Sequence, residues 1–386
     1  MHKKLVLSFA AATLLFASCK KDPVEPVTPP TPLEIPYDGL TATTSYITTF
    51  KGDDGNTSVD FSGQSTRIAM LKELDAHMKS WTTGAVDANK LKNMFANTNT
   101  PFANADLNAA TDKTIVSKTA GSFSPVDAET ERARFRSFFD AQAAASAFRT
   151  DSAYEGHAGK LGNYLVNEKG FEYAQFVQKG MMGALMLDQI SNVYLGTEKQ
   201  AADNSVIVSG KNYTQLEHHW DEAYGYLTSN AYFPMKDPND ATKWLEYFLG
   251  SYVRQVGDPT LVYMAFLKGR AAIVNKDDAT RNTQIEYIRT ALEKAVATVC
   301  ISYLNKANDA TTNAARFHAL GEATGFLYSL RFAYNAKVNT TKSNQLMDQL
   351  MNKPGGFWDL TIADIDAVRD EIATATGLDK ETYVNH

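Results

Sequence analysis

Proline is distributed very unevenly along this chain of 386 residues. Six of the 12 prolines fall between Lys20 and Pro36, and the other six are scattered through the long segment that follows. Proline fixes φ and lacks a backbone N–H, so the proline-rich stretch should be extended and unable to pack. We therefore predict a linker at 19–36 and a folded body at 37–386, in which long helices are permitted.

The residues before the linker have the composition of a cleaved secretory signal. A short basic start precedes an apolar run from Leu5 to Ala17, and small residues lead to Cys19. This run is too short to cross a hydrocarbon core, which needs roughly 20 residues. We predict a lipoprotein signal peptide at 1–18 and lipidation of Cys19. The alternative is an ordinary secretory signal followed by an incidental cysteine.

Charge and cysteine content narrow the possible partners and cross-links. The net charge of −6 gives no basic field that would attract nucleic acid, so no nucleic-acid partner is expected. The expected partner is the membrane, through a lipid on Cys19, with the outer membrane as the predicted location and no protein partner identified. Cys300 is the other cysteine, so no disulfide can form within the chain once Cys19 carries lipid. Its apolar surroundings predict a buried, inert thiol.

Apolar residues recur at helical spacing through most of the body, which predicts an all-α fold, a helical bundle. One short patch, Tyr46–Phe50, has instead the composition of a β-strand. No sustained alternation that would build a sheet is present. The predicted helices lie around 68–78 and at 130–149, 172–195, 213–227, 242–256, 261–275, 283–305, 312–336 and 362–376.

Two helices one hundred residues apart share the pattern H-x-x-x-E-A-x-G-aromatic-L-x-S. The first copy runs from His218 to Ser229 and the second from His318 to Ser329. A helix with a Lys-Gly pair precedes each copy. The same two helices in the same order predict a duplicated helical-hairpin unit, at about 172–230 and 261–336.

The shared residues fall on one face of each helix, because positions i, i+4 and i+7 lie together. They are His218, Glu222 and Gly225 in the first copy and His318, Glu322 and Gly325 in the second. Glycine inside a helix costs about 1 kcal/mol relative to alanine, so a repeated glycine indicates close approach of another backbone. We predict that Gly225 and Gly325 are packing positions.

Histidine and glutamate on these faces are also candidate metal ligands. If the two copies converge, a divalent metal ion could be held by some of His218, His219, Glu222, His318 and Glu322, at about 2.0–2.2 Å for zinc. The competing interpretation is structural, because a histidine and a glutamate at i and i+4 can simply bond to each other or to a neighbouring helix. No other cofactor is indicated.

Several strings resemble an uncharacterised family of Gram-negative lipoproteins that is defined only as a domain of unknown function. They are Glu155 to Gly159, Glu172 to Gln189, Glu217 to Tyr226 and Lys268 to Ile273. The resemblance extends from Tyr37 to the C-terminus.

A more distant resemblance is to imelysin-like proteins, which are all-helical, duplicated and located in the envelope. That group is linked with iron handling and, in one branch, with peptidase activity. Its motif is G-x-H-x-x-E, of which His219 and Glu222 match the last part, whereas Glu217 stands in place of the glycine. The resemblance implies an imelysin-type metallopeptidase as one alternative.

Common catalytic motifs are missing from the sequence. There is no H-E-x-x-H helix, no G-x-S-x-G elbow and no G-x-x-x-x-G-K-[ST] loop. The first hypothesis is therefore a non-enzymatic envelope lipoprotein that binds a ligand, a metal ion included, between two helical repeats. The alternatives are the metallopeptidase and a structural or partner-binding module without a metal.

Overall fold

A computed structural model describes residues 33–384. The predicted signal peptide, Cys19 and most of the linker therefore lie outside the described residues. The protein is mostly helical, with 59% helix and 4% strand, and its fold is all-α. No helix in the described part is both long and apolar enough to cross a bilayer.

Residues 33–384 contain fourteen α-helices and one β-hairpin, together with several short 3-10 and π-helical segments. The helices are α1 (Tyr46–Thr49), α2 (Ser62–Met78), α3 (Ala88–Ala96), α4 (Ala105–Ala109), α5 (Pro125–Ser146), α6 (Tyr173–Met181), α7 (Thr197–Gln200), α8 (Gln215–Leu227), α9 (Phe248–Val256), α10 (Pro259–Val274), α11 (Asp278–Asp309), α12 (Asn313–Leu330), α13 (Thr340–Met351) and α14 (Ile362–Thr376). The antiparallel hairpin pairs β1 (Gly159–Leu161) with β2 (Tyr164–Val166).

Several helix ends follow directly from the local sequence. Ser124 caps α5 through its hydroxyl, and Pro125 occupies the first helical position, where its missing N–H costs nothing. α14 begins with a capping box between Thr361 and Asp364 and ends at Gly377, which adopts φ +69°. These signals explain why α14 has the predicted bounds.

The strand-like patch at Tyr46–Phe50 is a wrong prediction, because residues 46–49 form the short helix α1. The Tyr46 ring stacks on Tyr224 at 4.0 Å between centroids, and its hydroxyl donates to Asp221 Oδ1 at 2.8 Å. A segment this short takes its conformation from such contacts rather than from its propensity. Several predicted boundaries also move. α9 begins only at Phe248 and α12 already ends at Leu330. α5 begins at Pro125, and α11 extends beyond its predicted bounds at both ends.

α11 is the longest helix, with 32 residues, and it lies at the centre of the core. It packs against α9, α10, α12 and α14. Cys300 on this helix is fully buried, and its thiol donates to the Ala323 carbonyl at 3.4 Å. The predicted burial of Cys300 is therefore confirmed. Burial also raises the pKa of this thiol, so it should react slowly.

A fully buried arginine joins α8 to α10. Arg270 Nη1 donates to Glu217 Oε1 at 2.7 Å, and Nε donates to Asp221 Oδ1 at 3.1 Å. Next to these three charged side chains the Trp220 indole lies over Gly269, where an added Cβ would be 2.0 Å from the ring. The charged side chains therefore sit in a contact that only glycine permits at position 269.

α6 packs along α12, and a serine inserts into its hydrogen-bond ladder. Ser329 Oγ accepts from the Gly183 N–H at 2.9 Å and donates to the Lys179 carbonyl at 2.6 Å. In an α-helix these two backbone groups would bond to each other. Beyond α6 the helix widens into π-helical turns at Met182–Leu187 and Gln189–Tyr194, as expected where a side chain enters the ladder.

Gly225 and Gly325 lie at helix contacts. A Cβ on Gly325 would lie 2.6 Å from Lys179 Cβ and 2.9 Å from the Gln175 carbonyl oxygen. A Cβ on Gly225 would lie 2.4 Å from Phe61 Cβ. All three separations are below ordinary van der Waals contact, so a side chain at either position would force its neighbours away.

We expect Gly325→Ala to destabilise the protein by about 1–3 kcal/mol through overpacking. Helix propensity alone predicts that the same substitution stabilises the protein by about 1 kcal/mol. The sign of the change in unfolding free energy therefore distinguishes overpacking from helix propensity. Denaturant unfolding measures the free energy. Gly84→Ala is the control, because open space surrounds Gly84. A more stable Gly325→Ala protein would contradict the close contact.

Candidate functional site

Each of the two repeated helix faces carries a histidine and a glutamate one turn apart. We refer to His218 and Glu222 on α8 as the first His–Glu pair, and to His318 and Glu322 on α12 as the second. The distance from histidine Nε2 to glutamate Oε2 is 3.9 Å in the first pair and 3.7 Å in the second. Direct contact within a pair is therefore loose, and other groups hold the side chains.

A tyrosine ring stacks on the histidine of each pair. The Tyr213 ring lies 4.5 Å from the His218 ring with an interplanar angle of 10°. The Tyr164 ring lies 4.0 Å from the His318 ring with an angle of 9°. Tyr213 immediately precedes α8, whereas Tyr164 belongs to β2, so the same arrangement is built from different parts of the chain.

The second His–Glu pair is held by two charged side chains of the α6 region. His318 Nδ1 lies 2.7 Å from Glu172 Oε2, and Glu322 Oε1 lies 2.9 Å from Lys179 Nζ. Burial opposes the charge of Glu322, but the ammonium of Lys179 and the His318 ring lower its pKa below the usual value. The pair thus belongs to a compact network of alternating charge on the α6–α12 contact.

A cleft of about 660 Å³ opens beside the second His–Glu pair. Its walls combine three phenol rings, three alanine methyl groups and several charged side chains. They are contributed by Tyr164, Tyr303, Lys306, Asp309, Ala310, Ala315, His318, Ala319, Glu322 and Tyr383. The Tyr383 hydroxyl donates to Asp309 Oδ2 at 2.7 Å, so these two side chains are already oriented.

The first His–Glu pair has different neighbours. Glu222 Oε1 accepts hydrogen bonds from the Tyr194 hydroxyl and from Gln64 Nε2, both at 2.9 Å. Lys118 Nζ lies on the other side of Tyr194, 3.4 Å from the same hydroxyl. In the second pair Lys179 contacts the glutamate directly. In the first pair the Tyr194 hydroxyl lies between Lys118 and Glu222.

His219, another predicted metal ligand, points away from the first His–Glu pair. Its Nδ1 lies 3.0 Å from the Lys199 carbonyl oxygen and its Nε2 lies 2.9 Å from Gln215 Nε2. Burial lowers the pKa of His219, so the ring is neutral at physiological pH. Both ring nitrogens are occupied by the surrounding chain, which assigns His219 a packing role.

The predicted metal site finds little support in these contacts. No group of three or more His, Cys, Asp or Glu residues within 33–384 is placed to hold a metal ion. A cation bound by His318 and Glu322 would have to displace the Lys179 ammonium and compete with Glu172 for the imidazole. The metal site, including convergence of the two pairs on one ion, therefore stays a prediction.

The helix-borne histidines and glutamates could be found in the sequence, but most of their partners could not. Tyr213 lies five residues before His218, close enough to be noticed as a neighbour. Tyr164 and Glu172 reach His318 across about 150 residues of chain, and no local pattern connects them. Lys179 stands in the repeated Lys-Gly string, which is the one signal that indicated its position.

We expect His318 to titrate above the usual histidine value of about 6.5. Burial alone would lower the pKa of His318, but the hydrogen bond and charge of Glu172, with the charge of Glu322, raise it. The stability gained from the protonated ring is therefore complete below about pH 6.5 and is lost as the pH rises through the raised pKa. An NMR titration of the histidine ring protons measures this pKa directly.

Glu172→Gln should lower the pKa of His318, because it removes the neighbouring negative charge. His219 provides an internal control, since its carbonyl contact with Lys199 does not involve Glu172. If the pKa of His318 were the same in the variant, the carboxylate would not be the group that shifts it.

Comparison with protein-family models gives a match. The sequence profile described as "Domain of unknown function (DUF4856)" covers residues 46–379, which include both His–Glu pairs and every residue of the cleft wall except Tyr383. Comparisons with curated proteins and with solved structures gave no match.

Proposed function

The chain belongs to the DUF4856 family, and we propose that it is a non-enzymatic, lipid-anchored envelope protein that binds a small hydroxyl-rich molecule in the cleft beside the second His–Glu pair. The observation that carries the proposal is the cleft itself. One of its walls contains the stacked rings of Tyr164 and His318 and the carboxylate of Glu322. Lys179 orients that carboxylate through an ion pair.

The size and composition of the cleft support a small-molecule ligand. A volume of about 660 Å³ falls within the range of roughly 300–1,000 Å³ that is typical of ligand pockets. Its polar groups are held before any ligand arrives, since Glu322 contacts Lys179 and Asp309 contacts Tyr383. Such preorganisation reduces the entropy cost of binding.

The chemistry of the walls favours a ligand that donates hydrogen bonds. The carboxylates of Glu322 and Asp309 and the phenol oxygens can all accept from hydroxyl groups. The tyrosine rings and three alanine methyl groups offer apolar surface to the C–H face of such a ligand. A compact polyol matches both requirements.

We further propose that the two helical hairpins arose by duplication. The shared sequence pattern supports this, and so does the stacking of a tyrosine on the equivalent histidine in each copy. The first helix of each hairpin packs on the second helix of the other hairpin, since α6 packs on α12 and α10 packs on α8. Duplication followed by divergence explains why only the second pair borders the described cleft.

A binding experiment tests the proposed ligand class. We expect D-glucose or myo-inositol to shift the NMR signals of the His318 ring in a saturable manner. Tyr164→Leu should weaken binding about tenfold or more, since it removes one wall of the cleft. Tyr213→Leu is the matched control, because it removes the equivalent stack on His218 and leaves the cleft intact.

The other outcomes identify the alternatives. Absence of saturable shifts with both polyols would contradict the proposed ligand class. Elemental analysis that finds about one metal ion per chain, lost in His318→Ala, would favour the metal-binding alternative. Cleavage of denatured protein that a chelator abolishes would favour the imelysin-type metallopeptidase. Normal folding without any of these properties would favour the structural or partner-binding module.

The membrane anchor is tested separately. If Cys19 carries the lipid, the wild-type protein should partition into detergent, whereas Cys19→Ser should stay in the aqueous phase or keep its signal peptide. Cys300→Ala is the matched control, because Cys300 is buried in α11 and should have no influence on partitioning. Equal partitioning of wild type and Cys19→Ser would contradict lipidation.

A further inference from the structure

A second cavity, of about 760 Å³, opens between the start of α11 and the chain segment 195–204. It shares no wall residue with the cleft beside the second His–Glu pair. Buried apolar side chains form part of its wall, contributed by Leu195, Leu216 and Ile285. Much of the remaining wall is polar, and its cations outnumber its carboxylates by three to two. The cavity therefore suits a small molecule that has both an apolar part and an anionic part.

The carboxylates of this wall are exposed, whereas the arginines that they contact are nearly buried. An oxygen of Asp278 lies 2.9 Å from Arg281 Nη1, and an oxygen of Glu286 lies 2.9 Å from Arg289 Nη1. The two acidic side chains are 77% and 69% exposed, while the two arginine side chains are only 10% and 9% exposed. Such pairs are weak, because water screens the exposed partner. An anion inside the cavity can therefore replace these carboxylates at little cost.

The two arginines differ in the contacts of their other N–H groups. Arg289 Nε donates to the Ser191 carbonyl at 3.0 Å and Nη2 to the Leu195 carbonyl at 2.9 Å, so the backbone holds this guanidinium. The Nε and Nη2 groups of Arg281 reach the side-chain oxygen of Asn282 at 3.4 and 3.3 Å. Both distances are long for an N–H···O hydrogen bond. Arg281 thus presents a weakly bonded pair of donors, with the geometry that a carboxylate matches.

A buried amide on the same wall lacks a hydrogen-bond donor. Gln200 on α7 is 8% exposed, and its Nε2 donates to the Tyr194 carbonyl at 2.8 Å. That bond fixes the orientation of the amide and leaves Oε1 without a hydrogen-bond partner among the described residues. A buried acceptor without a donor is destabilising. A ligand hydroxyl or ammonium group would supply the donor.

We propose that this cavity binds a small organic carboxylate with a hydrogen-bond donor on the adjacent carbon, an α-amino acid or an α-hydroxy acid. Arg281 Nε and Nη2 bind the carboxylate. Lys276, whose Nζ donates to the Asn204 carbonyl, is a further cation of the same wall. Gln200 Oε1 accepts from the ammonium or hydroxyl group, and the apolar side chains contact the aliphatic part. The site does not depend on the function proposed for the cleft beside the second His–Glu pair.

Isothermal titration calorimetry of the full chain in detergent tests this site with three sodium-matched probes, L-leucine, L-2-hydroxy-4-methylpentanoate and 4-methylpentanoate. We expect saturable binding of at least one of the first two, and the tighter of them identifies the donor as an ammonium or a hydroxyl group. The third probe has the same chain and carboxylate but no donor, so it should bind about tenfold more weakly. Absence of saturable binding, or equal affinity for all three, would overturn the proposal.

Two substitutions with opposite expected effects locate the site. Arg281→Gln should weaken binding about tenfold or more, because it removes the paired donors. Asp278→Asn should strengthen binding about two- to fivefold, because the exposed carboxylate no longer competes for Arg281. An arginine with a purely structural role would not produce that gain.

Arg369→Gln is the matched control. The Arg369 side chain is 11% exposed and pairs with Asp366 at 2.8 Å with the same spacing of three residues, but it does not line the cavity. Binding to this variant should be unchanged, as should binding to Tyr164→Leu, which alters only the other cleft. Unchanged affinity in both Arg281→Gln and Asp278→Asn would overturn the proposal. So would an equal loss of affinity in Arg369→Gln, since net charge would then explain the effect.

Discussion

The close contact between α6 and α12 determines the geometry of the second His–Glu pair. Gly325 lets the backbones approach, and the Ser329 hydroxyl replaces a backbone hydrogen bond of α6 with two bonds across the contact. At this separation Lys179 reaches Glu322. A wider spacing would separate these two buried charges, at a cost of several kcal/mol. The helix packing and the charge network therefore stabilise each other.

The two His–Glu pairs show that one helix face can be surrounded by very different electrostatic environments. The second pair is bordered by a carboxylate and by the lysine that neutralises its own glutamate. The first pair is bordered by Tyr194 and, beyond it, by Lys118, which has no carboxylate within 4.0 Å among the described residues. Two helix faces with the same sequence pattern therefore need not lie in surroundings of the same charge.

The periodicity of apolar residues predicted the long helices well, because each buries one face over many turns. α14 has the predicted bounds since its capping signals agree with that pattern. The strand prediction for Tyr46–Phe50 failed because contacts with Tyr224 and Asp221 determine the conformation of so short a segment. The partners of His318 could not be predicted either, because they depend on α6 packing against α12, and the order of helices along the chain does not determine which of them pack together.

The burial of Cys300 makes the protein well suited to spectroscopic study. Its thiol lies inside α11 and carries a raised pKa, so maleimide reagents should react with it very slowly. If Cys19 carries the proposed lipid, a cysteine introduced at an exposed position would be the only reactive thiol of the molecule. A fluorophore or spin label at the mouth of the cleft could then report ligand entry without removal of any native side chain from the core.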